Sequence, residues 1–129
     1  MKRYDALIAP DPEEWQALDE EEQLDLVEVY HRRTRAPVPK SGARVHALFH
    51  VAVENQVALG DETPVKRTLQ RLMAEGLDRH DAVHAVGSVL AGHMNDRLRG
   101  SESDPTEDPN TAYYAELEAL TAAEWRRSG

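Results

Sequence analysis

The chain predicts an all-α, single-domain bundle of about five to six helices, and three observations carry that expectation. Helix-start residues recur at Asp11-Pro12, Asp19, Thr63-Pro64 and Asp78, and helix-stop glycines at Gly60, Gly76 and Gly100. Between them the apolar residues repeat at helical spacing, and no segment combines strand alternation with a hairpin turn. A length of 129 residues suits one buried core, so 1–129 is expected to be one domain.

Taken in order, Asp11 is an N-cap followed by Pro12 at the first helical position and by Glu13 and Glu14 against the positive end of the helix dipole. Asp19 with Glu22 repeats that start, and "QLDLVEVYHRR" then brings Leu24, Val27 and His31 onto neighbouring turns. Pro37 and Pro39 stop this helix and stiffen the link to the next. Ser41 is placed to cap that helix, which should reach about Leu59 before Gly60. Thr63-Pro64 opens a short amphipathic helix carrying Val65, Leu69, Leu72 and Met73 on one side, ended by Gly76. Asp78 caps a long helix extending to about Arg99. "GSESDPTEDPN", residues 100–110, reads as an exposed acidic loop. A last helix begins near Asn110 or Thr111, and "TAAEW" offers a capping box for a final turn. Trp15, Tyr113, Tyr114 and Trp125 are expected to anchor the end helices. The segments near 43–59 and 79–99, rich in small and β-branched residues, are expected to be the most buried.

Composition narrows the function classes. The chain has no cysteine, which removes disulfides, thiolate nucleophiles and sulfur-rich zinc motifs together. Its net charge of −9, from 24 acidic and 15 basic side chains, repels phosphate backbones and argues against a nucleic-acid partner. The basic cluster "HRRTR" closes a helix, where cations complement the carboxyl-end dipole. No run of apolar residues has the length of a signal peptide or membrane span, so a cytoplasmic protein without membrane contact is expected. A protein partner or homo-oligomer is compatible with this surface. Nucleophile elbows, phosphate loops and HExxH motifs are missing from the sequence.

The chemistry-bearing pattern is histidine. Of six histidines, four form two HxxxH pairs, His46 with His50 and His80 with His84, inside the most apolar segments. Residues four apart on a helix differ by about 40° in direction, so each pair presents two imidazoles on one face. Glu54 continues the first stripe, and Gly87 and Ala91 lie on the second, where small residues admit a close neighbour. The short helix between the two returns the chain, so the flanking helices can run parallel and bring both pairs to one end of the bundle. A shared tetrahedral site would then hold the nitrogens of His50 and of His80 or His84 about 3–4 Å apart, given metal–nitrogen bonds of about 2 Å. His31 could add a ligand, although packing at the helix end accounts for it more simply, and His93 points about half a turn away from His84. Asn55 and Gln56 could orient imidazoles, or make polar contacts with neighbouring helices.

From Arg44 to about Leu98 the chain resembles a family of small bacterial helical proteins of uncharacterised activity, through "HALFHVAVENQVA" and "RHDAVHAVGSVLAGHM". The resemblance implies a helical fold and bacterial origin, and no reaction. Hemerythrin-like bundles offer a second likeness, because His50xxxGlu54 and His80xxxHis84 match part of a di-iron ligand pattern, while His93 departs from it by following His84 on the same helix.

The expectation from these readings is a metal site formed by His46, His50, His80 and His84, with zinc or iron the favoured divalent ions. Glu54 would be a further ligand or a general base, and the chemistry metal-assisted hydrolysis or oxidation. The alternative is a non-enzymatic acidic interaction module whose histidines are structural and hold no metal.

Overall fold

A computed structural model describes residues 1–35, 42–98 and 110–128, with the side chains of 97, 98 and 128 left aside. Among these the structure is all-α: α1 (Pro12–Gln16), α2 (Glu20–Thr34), α3 (Ala43–Ala58), α4 (Val65–Ala74), α5 (Arg79–Leu98), α6 (Thr111–Ala119) and α7 (Ala122–Ser128), with a 3-10 turn at Gly60–Glu62. Seven helices replace the expected five to six. Asp19 separates α1 from α2, and Thr121, whose hydroxyl accepts from the Glu124 amide at 3.1 Å, starts a separate α7.

The caps act as the sequence requires. The Asp11 carboxylate accepts from the Glu14 amide at 3.1 Å, and Asp19 and Glu22 form a reciprocal capping box. Asp78 accepts from the Asp81 amide at 2.7 Å at the start of α5. Gly76 closes α4 with φ at 110°, a conformation a side chain would resist. Two details differ from expectation. Arg35, in the left-handed conformation, ends α2 before the prolines. Gly42 occupies the N-cap position of α3, with no side-chain cap bond. Pro37, Pro39, Ser41 and residues 100–109 of the acidic loop lie outside the described residues.

Helix α3 is the shared wall of two apolar clusters. On one side Ala47 and Val51 pack with Tyr4, Ala6, Trp15, Leu24, Val27 and Tyr30. On the other, Val53 joins Val65, Leu69 and Leu72 of α4, Val83 and Val86 of α5, and Tyr113 and Leu117 of α6. Asn55 and Gln56 secure this assembly instead of facing imidazoles: the Asn55 side-chain oxygen accepts from Trp15 Nε1 at 2.8 Å, and that of Gln56 accepts from the Tyr113 hydroxyl at 2.8 Å. Trp15 and Tyr113 thus anchor α1 and α6, at 0% and 2% exposure. Gly87 faces α3, where an added Cβ would meet Phe49 Cβ at 3.7 Å and Val53 Cγ2 at 3.9 Å. That is ordinary contact, so close helix approach does not demand glycine there. No described helix is long and apolar enough to cross a membrane.

Candidate metal centre

Five imidazoles from α2, α3 and α5 meet in one cluster. His46 and His50 come from α3, His80 and His84 from α5, and His31 from the last turn of α2. Each offers one nitrogen, and the five lie within 4.8 Å of one another. His31 and His50 are buried, while His46, His80 and His84 are part-exposed and form the side toward solvent. The rings do not pair first with first, as parallel helices in register would. His46 sits 4.7 Å from His84 between centroids, and His50 lies 5.1 Å from His80 and 4.9 Å from His84. The first histidine of each pair meets the second of the other, so the two pairs come together without the expected parallel, in-register alignment.

A hydrogen bond to the backbone assigns one of the five tautomers. His31 Nδ1 lies 2.9 Å from the Val27 carbonyl oxygen, which only accepts, so Nδ1 carries the proton and Nε2 a lone pair. The Nε2 atoms of His46 and His31 stand 3.1 Å apart, and those of His50 and His84 stand 2.9 Å apart. The second distance falls just below the 3–4 Å expected for a shared site. His80 Nε2 is buried with no hydrogen-bond partner among the described residues. A buried polar atom in that state is costly, and a ligand would relieve it.

The electrostatics keep the rings neutral. Burial first, then the neighbouring His31 and His80, push His46 down to about 4. Burial and then His80, His46 and His31 push His84 down to about 3. His50 lies well below its ordinary range for the same reasons, burial leading and His84 next. Burial also lowers His31 against the pull of its bond to Val27, and lowers His80 against the nearby carboxylates of Asp78, Asp81 and Asp5. Neutral imidazole is the metal-binding form.

Glu54 is placed beside the cluster but outside it. Its two oxygens take a bidentate pair from Arg79, at 2.7 and 2.8 Å, and Oε2 also accepts from the Tyr4 hydroxyl at 2.5 Å. Arg79 further donates to the Ala6 carbonyl at 3.0 Å, tying the N-terminal segment to α5. The expected roles of ligand and general base both need an oxygen that these partners occupy. The Tyr4 oxygen also stands 3.2 Å from His50 Nδ1. Burial, followed by the Glu54 charge, raises the Tyr4 phenol well above its ordinary range, so the hydroxyl stays protonated. His93 lies away from the cluster, 3.1 Å from a Glu116 oxygen.

Sequence reasoning set His31 aside and never reached Tyr4 or Arg79. For His31 a signal existed, since Leu24, Val27 and His31 share one face of α2. Tyr4 lies in a non-helical stretch whose periodicity says nothing, and Arg79 precedes a histidine that drew the attention. Comparison with protein families, with curated proteins and with solved structures finds no match. The reading of the site therefore rests on its own geometry.

Proposed function

We propose that this protein binds one first-row transition-metal ion, zinc foremost, through the imidazoles of His31, His46, His50, His80 and His84. The observation that carries the reading is the convergence of five neutral imidazoles, each with a nitrogen within 4.8 Å of the others, and with a buried His80 Nε2 that has no hydrogen-bond partner among the described residues. Opposite ligands on a single ion with bonds of about 2.1 Å stand about 4.2 Å apart, and tetrahedral neighbours about 3.4 Å. Ring movements of about half an ångström would gather this set around one ion. A two-metal centre of the hemerythrin kind needs bridging groups, and Glu54 is committed to Arg79 and Tyr4. An all-imidazole donor set also favours zinc, copper or nickel, so iron loses the carboxylate that argued for it. Glu54, whose oxygens already accept three hydrogen bonds, adds no observed ligand to the cluster, and this reading assigns it no reaction.

The competing reading is a structural histidine network in an acidic interaction module. It is favoured by the two nitrogen–nitrogen contacts, both of hydrogen-bond length. It leaves His80 Nε2 unaccounted for. Metal analysis of protein purified without an affinity tag or added metal separates the two. We expect about one equivalent of metal per chain, and a chelator-dependent fall in melting temperature. Metal-free protein whose heat stability responds to neither chelator nor added zinc would refute metal binding.

A further inference from the structure

We infer that Tyr4 is a positioning residue for the cluster: held by Glu54, its hydroxyl fixes His50 in the Nδ1–H form and turns the Nε2 lone pair toward the other imidazoles. The protons along a buried chain of groups fix the tautomer. Arg79 is donor-only and takes both oxygens of Glu54, at 2.7 and 2.8 Å. Glu54 Oε2, as acceptor, takes the single proton of the Tyr4 hydroxyl at 2.5 Å. Only lone pairs then remain on the Tyr4 oxygen, and His50 Nδ1 stands 3.2 Å from it. That nitrogen must be the donor, and a neutral imidazole has one proton to give. Nε2 is therefore bare, and it faces His84 Nε2 at 2.9 Å.

Every member of this chain is buried: Tyr4 and Glu54 at 1% exposure, His50 at 2% and Arg79 at 5%. Water is therefore poorly placed to substitute for the hydroxyl. The backbone prepares the contact, since the Ile8 amide donates to the Asp5 carbonyl at 3.0 Å and the Leu7 amide to the Asp5 side chain at 2.9 Å, closing a turn just after Tyr4. His31 obtains the same result from a backbone carbonyl. The cluster thus has two imidazoles locked with bare Nε2 atoms inward, and these accept from Nε2 of His46 and of His84, whose protons would have to move to Nδ1 for those nitrogens to ligate. Outer partners of this kind commonly change metal affinity about 10–100-fold.

The consequence for metal rests on the proposed function; the tautomer does not, and the test keeps them apart. Two-bond proton–nitrogen NMR of metal-free protein should find His50 as the Nδ1–H form. Tyr4→Phe should give a mixture of tautomers and bind zinc, measured by competition with a chromophoric chelator, about 10–100-fold more weakly. Tyr113→Phe is the comparison, because it deletes the hydroxyl of another buried tyrosine, bonded to Gln56 at 2.8 Å away from the cluster. It should lower stability and leave the His50 tautomer and zinc affinity unchanged. An Nε2–H form of His50 in the wild type overturns the proposal without any variant. So does Tyr4→Phe protein that keeps the wild-type tautomer, or one that keeps the wild-type zinc affinity. Failure of the wild type to take up zinc counts against the proposed function, and the NMR result still decides the role of Tyr4.

Discussion

Lowering the pH of metal-free protein from 7.5 to 5 should unfold it progressively, and the histidine cluster sets the size of the effect. In an unfolded chain imidazoles take up protons near pH 6.5. In the fold His46 waits until about 4 and His84 until about 3, with burial the leading cause, and His50 is held well below its ordinary range. The unfolded state therefore holds more protons throughout this window. Stability is full above about pH 6.5, falls as pH drops toward the folded values, and levels off below them. A fully buried ring would lose about 2 kcal/mol over this range. His46 and His84 are part-exposed and screened, so the three rings together should cost about 4 kcal/mol. For a chain of this length that corresponds to a melting temperature about 15 °C lower, at about 2.1 cal/mol/K of unfolding entropy per residue. Thermal unfolding followed by circular dichroism at both pH values, with chelator present, measures it. His50→Gln, which removes the one fully buried ring of the three, should flatten the slope by about half. A melting temperature unchanged across the range would mean that the rings are neither buried nor neutral in the fold.

Three further outcomes follow from named contacts. Arg79→Met leaves the Glu54 carboxylate buried without its bidentate partner and should cost about 3–5 kcal/mol in urea unfolding; a loss below about 1 kcal/mol would contradict the buried pair. Gly87→Ala should stabilise by up to about 1 kcal/mol, because the new Cβ meets only ordinary contacts at 3.7 and 3.9 Å and the helix gains from losing a glycine; destabilisation would mean that the α3–α5 approach is tighter than described. Calorimetric titration with zinc at pH 7 in buffers of different ionisation enthalpy should detect release of less than about half a proton, since the rings are already neutral; release of several would show them charged before binding.

Much of the fold was legible because its signals are local. Asp11, Asp19 and Asp78 each cap the helix they precede, and Gly76 takes the positive φ its place implies. The two HxxxH pairs were legible as stripes for the same reason, and their burial followed from the apolar residues around them. What escaped depends on how the helices pack together. Whether the end of α2 reaches α3 is a tertiary matter, so His31 could be placed on a face but not against a partner. Glu54 shows the converse, since its stripe was correct while its partners, Tyr4 and Arg79, lie 50 and 25 residues away. Neither separation leaves a periodic trace. Ser41 was a sound cap by residue type, yet the backbone starts α3 one residue later, at an N-cap that has no side chain to bond.

The surplus of donors has a kinetic side. A zinc ion satisfied by four nitrogens would here always have a fifth within 4.8 Å of the others. One imidazole can then replace another by an associative step, the new bond forming as the old one lengthens, without the ion passing through a bare, three-coordinate state. The ion would interchange among overlapping four-nitrogen sets, and its departure would proceed in small steps through the part-exposed His46, His80 and His84. With zinc bound as proposed, affinity and lability would be uncoupled. Such a centre can hold its ion tightly at equilibrium and still exchange it quickly, and replacing any single histidine leaves enough nitrogens for a complete tetrahedral set.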